Sequence, residues 1–356
     1  MSVITPSPII EVEGPDRTRL KRDRAGLGNG SAAANCVAKR AKAPAAKPPE
    51  ATIFHEPWWL TAASDGAYEE AVHSIDNVVV GRLPYLRQRK IGWQTALVMP
   101  TMTHVLGPSL SPDLLGAGHG RSLRRFTIRS ALIAQLPKAG HIWFALHRKE
   151  TDSLAFEAAG FSTAVDFTMD IAPNTPDILW RQMRDKTRNV IRRAQESYTA
   201  QSIDEPTLFL DFYEENLRQR GHRNFFDRRI CENVMAACLE RGRGRLLFAI
   251  DPSGALRAAI FTAWDGEAEY YLMSTRAPDS GNGAISLLLW TAVQEASCCG
   301  RIFDLDGIKS RTNHMLLTGF GASWSAGPPP AFRSRNSSRR SWPSFAPRQT
   351  SAAVPK

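Results

Sequence analysis

The stretch Tyr270-Tyr271-Leu272-Met273-Ser274-Thr275-Arg276, then Ala-Pro-Asp-Ser, then Gly281-Asn282-Gly283-Ala284, carries the pattern best suited to chemistry. A strand that passes through a glycine loop into a helix leaves successive backbone N–H groups at the positive end of a helix dipole, where a pyrophosphate can be held. No Gly-Lys-Ser/Thr follows, so this is not a Walker loop; an ordinary strand-to-helix turn is the plainer alternative. Further on stands Phe303-Asp304-Leu305-Asp306-Gly307. On a strand, Phe303 and Leu305 share one face and the two carboxylates the other. Paired carboxylates can orient an amine or take its proton, or they can divide into a turn cap and a salt bridge. A third group is the row Arg181, Arg184, Arg188 and Arg192, at helical spacing beside the apolar stripe Trp180, Met183, Thr187, Ile191 and Ala194. Arginines in such a row suit a phosphate or carboxylate, or simply form a solvated face. The histidines are scattered (His104, His141, His222, His314), with no HExxH pattern and no readable Ser/His/Asp arrangement. No cysteine spacing reads as a zinc site, so no metal is expected.

These groups need strands and helices to hold them. Strand character is predicted over 77–86, 93–99, 142–146 and 166–171, and helix over 122–136 and 153–159. Ala-Pro-Asn-Thr-Pro at 172–176 then marks a boundary. Beyond it, long helices are predicted over 177–197, 205–220 and 227–241, followed by strands 245–251 and 258–264 joined by an Asp-Pro-Ser-Gly turn. A strand over 269–274, a helix over 284–297 and a strand over 301–305 complete the pattern. Mixed helices and strands argue an α/β (α+β) fold of two halves, each a mixed sheet flanked by helices.

The chain has 356 residues, 43% of them apolar, enough for a sizeable core. Its net charge of +10 suggests a polyanion partner until the charge is divided along the chain. Residues 1–50 hold nine Lys/Arg against five Asp/Glu, and residues 326–356 hold six Lys/Arg and no acid. The body between them has 30 of each sign and is neutral. A globally basic nucleic-acid binder is therefore disfavoured. Five cysteines make no disulfide scaffold, no apolar run approaches a membrane span, and no secretory start is visible. A cytoplasmic protein is expected.

The order of these pieces resembles the FemAB-like branch of the GNAT acyltransferase superfamily, including acetyltransferases encoded near bacterial polysaccharide and cellulose-biosynthesis genes. The resemblance rests on five stretches. They are Gly81-Arg82-Leu83-Pro84-Tyr85 through Leu106-Gly107-Pro108; Ala159-Gly160-Phe161 to Asp166-Phe167-Thr168, like the strand that closes the first half; Lys186-Thr187-Arg188-Asn189-Val190-Ile191-Arg192-Arg193-Ala194; Tyr270 to Gly283; and Phe303 to Gly307, ending in Gly319-Phe320-Gly321-Ala322. It implies a first half over 51–172 and a second half with the acyl-donor site over 173–323, whereas the Ala/Pro/Gly/Lys/Arg-rich composition of residues 1–50 makes them a disordered tail. It also implies transfer of an acyl group, acetyl above all, from acyl-CoA to an amine or hydroxyl of a small-molecule or saccharide acceptor. Peptidoglycan-bridge members use aminoacyl-tRNA instead, and a non-catalytic binding protein on a decayed scaffold is a further alternative. The usual Gln/Arg-x-x-Gly-x-Gly/Ala loop is approximated by residues 276–283, with its glycines displaced by two places. The neutral body and the lack of a long helical hairpin insertion favour CoA.

In this frame Leu272, Met273, Ser274, Arg276, Gly281, Asn282, Gly283 and Ala284 bind the donor, and backbone N–H groups near 272–274 polarise its carbonyl. Asp304 or Asp306 takes the acceptor's proton, and Tyr270 or Tyr271 protonates the leaving thiolate. Arg184, Arg188 and Arg192 face a phosphate- or carboxylate-bearing acceptor. A valine at Gly283 is expected to obstruct the donor and leave the fold mostly intact. The resemblance also leads one to expect a final strand after Gly319-Phe320-Gly321. Residues 324–356 instead read as Arg/Pro/Ser/Ala-rich text with Pro328-Pro329-Pro330. That composition suggests either a natural disordered tail or a frameshift product; in the second case the last strand is missing and the sheet edge is left open.

Overall fold

The computed structural model describes residues 52–89, 95–111, 120–148, 152–163, 167–281, 283–307, 315–326 and 333–334. A 3-10 turn, Ile53–His55, leads into α1 (Pro57–Ser64), which starts on a proline whose missing N–H costs nothing at a helix start. Then come β1 (Tyr68–Ile75), β2 (Val78–Arg89), β3 (Thr95–Val98), β4 (Ser109–Leu110), α2 (Gly120–Ala134), β5 (His141–Ile142), α3 (Leu154–Ala158) and β6 (Phe161–Ser162). β1 and β2 join through Asp76 and Asn77, both at positive φ, which suits the twist of a tight hairpin. These strands make a five-stranded sheet in the order β1-β2-β3-β5, with β4 also on β2. Its core is closed by α2 and α3 through Val80, Leu83, Ile128, Leu132, Phe144 and Phe156.

The rest of the chain supplies β7 (Phe167–Ile171), α4 (Pro176–Gln182), α5 (Asp185–Ser197), β8 (Thr199–Ser202), α6 (Pro206–Gln219) and α7 (Arg228–Glu240). After them follow β9 (Gly244–Ile250), β10 (Leu256–Trp264), β11 (Ala268–Arg276), α8 (Gly283–Cys298), β12 (Ile302–Gly307), β13 (Ser323–Ala326) and β14 (Arg333–Ser334). Seven strands form one sheet, in the order β13-β7-β12-β11-β10-β9-β8, and β14 pairs with β6. The large sheet is covered on both faces. On one, α5 and the apolar α8 pack Ile191, Leu288 and Leu289 against Leu247, Ile260, Phe303 and Leu305. On the other, Trp59 of α1, Phe209 of α6 and Met235 of α7 cover Phe248 and Phe261. The α/β fold of two sheets flanked by helices is the one expected.

Several boundaries differ from expectation, each for a physical reason. The helix expected over 177–197 is two helices, because Met183 and Arg184 are extended (ψ 150° and 143°). The Arg188 guanidinium donates to the Trp180, Arg181 and Met183 carbonyls and so caps the end of α4. The strand expected over 142–146 is only His141–Ile142, whereas the eight-residue β1 and the four-residue β8 escape the sequence pattern. The boundary at 172/173 is crossed in both directions. β7, taken as the strand that closes the first half, lies between β12 and β13 in the large sheet. Ile53, Phe54 and Trp59 lie in the core of the large sheet's α6/α7 face. The expected open edge is also corrected: Ser323–Ala326 forms a strand antiparallel to β7, with Trp324 opposite Met169. The expected tail 1–50 and the remainder of 324–356, apart from β14, lie outside the described residues.

Candidate active site

The site grows from a fork in the large sheet. β11 and β12 pair in parallel over Ala268↔Ile302, Glu269↔Phe303 and Tyr270↔Asp304, and the pairing ends there. From Tyr271 to Arg276, β11 is laddered to β10 alone among the described residues, so one edge of its backbone is left without a strand partner. Opposite this edge β11 carries a bulge: Thr262 faces Tyr271 and Phe261 faces Met273, leaving Leu272 as the extra residue. The bulge resets which side chains face which side. Tyr271 packs toward the α8 face, while Leu272 and Met273 both pack with the α6/α7 core.

A cleft of about 450 Å³ opens at the fork. Its walls include Tyr271, Ser274, Thr275 and Arg276 of β11, Ile285 and Ser286 in the first turn of α8, and Thr187 and Val190 of α5. Met315 and Leu316 close another side, and four cations line it, Arg184, Lys186, Arg220 and Arg276, with no carboxylate among the lining residues. All three guanidiniums are held by carbonyls; of them, Arg220 donates to the Arg276 carbonyl at 2.5 Å, and Arg276 to that of Ser280 at 2.6 Å. Partial burial, then the neighbouring Arg276 charge, pulls the Arg220 pKa below its ordinary value. Neither has an acidic partner among the described residues, so the mutual repulsion is left for an anion to relieve.

The expected site residues divide sharply. Tyr271, Ser274, Arg276 and Arg184 meet at the cleft. Tyr270 does not: it is 3% exposed in the α6/α7 core, and its hydroxyl donates to Asp265 at 2.9 Å. Burial, then Asp265, pushes its pKa well above the usual value for a phenol. Leu272, Met273 and Ala284 are packed in core clusters, so any part of 272 or 273 in binding falls to the backbone. A side chain at Gly281 would meet only the Gly283 amide, at 4.0 Å. Gly283 is different, for its Cβ would come within 3.2 Å of Ala194 and 3.4 Å of the Val190 carbonyl. The absent side chain there lets α8 approach α5, which corrects the expectation that Gly283 matters only to the donor. Asn282 and the side chain of Asp306 lie outside the described residues.

Nor do the arginines act as a row. Arg188 caps α4 and pairs with Asp185, and Arg192 stacks over Trp180 at 5.4 Å. Arg184 reaches the cleft but is engaged in building it, donating to the Met315 carbonyl at 2.8 Å and to Thr318. Its backbone N–H also donates to the Gly319 carbonyl. Asp304 sits at the last pair of the fork. Its carboxylate accepts from Thr168 at 2.7 Å and from Arg148 at 3.1 Å, and Arg148 also pairs with Asp170. Asp304 is thus engaged by both a guanidinium and a hydroxyl. Sequence reasoning missed Arg220 and Thr275, which reach the cleft only because α6 ends beside β11. Lys186 stood in the quoted helix without a role.

Residues 181–306 match the family model described as acetyltransferase (GNAT) domain. Among solved structures, that of FemX is similar at a TM-score of 0.59 and 13% identity, covering 80% of this chain and 92% of that one. L-PGS from Bacillus licheniformis is similar at 0.48 and 12% identity, covering 80% and 88%. No curated protein matches the sequence. The matched segment, which holds the forked part of the sheet, is a GNAT-type acetyltransferase domain. Over most of its length the chain shares the fold of FemX. No group of three or more His, Cys, Asp or Glu among the described residues could hold a metal ion, and no described helix is long and apolar enough to cross a membrane.

Proposed function

We propose that the protein transfers an acetyl group from acetyl-CoA to an amine or hydroxyl of a small-molecule or saccharide acceptor, in the cytoplasm. The observation that carries this reading is the cleft at the fork, cationic and without an acid in its lining, with the N-terminus of α8 at its side. A donor that carries phosphates on one end and a polar, hydrogen-bonding arm on the other suits both features. Arg220, Arg276 and Lys186 would hold the phosphates, helped by the helix dipole. The unladdered backbone of 271–276 would hold the arm. Tyr271, the only phenol of the Tyr270/Tyr271 pair that lines the cleft, would give a proton to the leaving thiolate. Asp304 would act as a fixed charge that orders Arg148 and Thr168 at the fork.

The test is a calorimetric titration with acetyl-CoA, run beside Arg276→Gln and Arg220→Gln. Binding by the wild type, weakened about tenfold or more in each variant and further weakened by salt, is the expected result. Aminoacyl-tRNA as the donor would appear as no heat with any CoA thioester together with protein-dependent aminoacyl transfer from charged tRNA. That outcome would replace the CoA reading.

A further inference from the structure

The last turn of α6 reaches the free edge of β11 through two side chains four residues apart on one helical face, Asn216 and Arg220. Arg220 donates to the Arg276 carbonyl. Asn216, 2% exposed, donates from its amide Nδ2 to the Thr275 Oγ1 at 3.0 Å, across a fully buried contact. This is the only hydrogen bond of the Thr275 side chain among the described residues, and Thr275 lines the cleft. A threonine hydroxyl has one proton and two lone pairs. With a lone pair taken by an amide donor, the proton is left to be given away. A buried hydroxyl with an unspent donor, beside a cleft and beyond the point where the ladder stops, is a polar handle awaiting an acceptor atom.

Resting on the donor reading above, we propose that Thr275 is a binding residue that donates a hydrogen bond to a carbonyl oxygen of the acyl donor. Asn216 is the positioning residue that commits the hydroxyl to that direction. Sequence alone hides this pair, since its members lie 59 positions apart.

Three variants test it by calorimetry with acetyl-CoA, each checked by its melting transition. Thr275→Val keeps the shape and removes the proton, and is expected to weaken binding about tenfold. Thr275→Ser keeps the proton and should bind within about threefold of the wild type, by the same reasoning. Asn216→Asp reverses the buried contact, because a carboxylate can only accept and so draws the Thr275 proton to itself. It should therefore weaken binding as Thr275→Val does, although the threonine is still present. If Thr275→Val binds like the wild type, Thr275 has no such role. If Thr275→Val is weakened and a folded Asn216→Asp is not, the positioning role of Asn216 is overturned. A wild type that binds no CoA thioester overturns the donor reading and the Thr275 assignment together, which separates that failure from the other two.

Discussion

Tyr270 and Tyr271 are neighbours in the sequence and opposites in the structure. One is an anchored core phenol and the other lines the cleft. Tyr271→Phe is expected to lower kcat for acetyl transfer at least tenfold with little change in melting temperature. Tyr270→Phe should leave turnover near wild type and cost about 1–2 kcal/mol of stability, read by urea unfolding, because it removes a buried hydrogen bond to a carboxylate. His55 makes a prediction about pH. It is fully buried, Nε2 against the backbone of Gly107 and Nδ1 against Thr52. Burial is the main reason that its pKa is lowered to about 4 from the ordinary 6.5. The unfolded chain therefore binds a proton there between pH 6.5 and 4 that the folded protein refuses. Stability present above pH 6.5 is lost as the pH falls through that window, by up to about 3 kcal/mol from this one group. Unfolding free energies measured at pH 7 and pH 5 should differ in the wild type and differ less in His55→Gln; equal slopes would refute the assignment.

Elements place these residues, and the contact that matters most is between α5 and α8. α8 buries ten of its sixteen residues, which holds it firmly against its neighbours. Its start is fixed by Gly283 lying on Val190 and Ala194. A valine at Gly283 adds bulk where only tenths of an ångström are available, so it should destabilise the fold by about 1–3 kcal/mol and widen the cleft besides. Differential scanning calorimetry with and without acetyl-CoA would show both effects; a variant of wild-type stability that only loses donor affinity would restore the simpler view of this glycine. The turn after α5's partner segment is equally confined. Gly321 sits at φ +74°, and a side chain there would come within 2.6 Å of the Gln182 carbonyl. Gly319-Phe320-Gly321 is thus a docking turn against the corner of α4 and α5, and Arg184 ties it down.

At the scale of the whole molecule the two halves are interleaved. β7 enters the large sheet from the N-terminal side of the boundary, and the segment from Ile53 to Trp59 packs with α6 and α7. Asp265 at the β10–β11 turn accepts from both the Ile53 N–H and the Tyr270 hydroxyl, joining the beginning of the described chain to the fork. A fragment that starts at residue 173 would separate β12 from β13 by an absent strand and expose the apolar face covered by Trp59. It is expected to aggregate or to lack a cooperative melting transition, whereas the chain from residue 46 should melt cooperatively; circular dichroism and gel filtration of the two would decide. Truncation after Ala322 should likewise lower stability, since β13 covers the edge of β7.

What the sequence determined by itself is the set of local elements whose signals are short-range. The helix expected over 284–297 is Gly283–Cys298, apolar over the broad face that it buries. Asp227 caps α7 by accepting from the Arg229 and Ile230 amides, and the Asp-Pro-Ser-Gly turn joins β9 to β10 with Gly254 at φ +85°. The alternation in Phe303-Asp304-Leu305 correctly sends the two apolar side chains into the core. Only the tertiary structure decided which residues share the cleft. The bulge at Leu272 depends on β10, and it turns Leu272 and Met273 to the same face. The break at Met183 depends on a guanidinium that belongs to the following helix, and it dissolves the arginine row. Arg220 and Thr275 become neighbours because α6 ends against β11, and β7 finds its sheet across the boundary drawn from composition. Periodicity and capping are set by residues a few positions apart, whereas the facing of a bulged strand and the end of an ion pair are set by groups that only folding brings within reach.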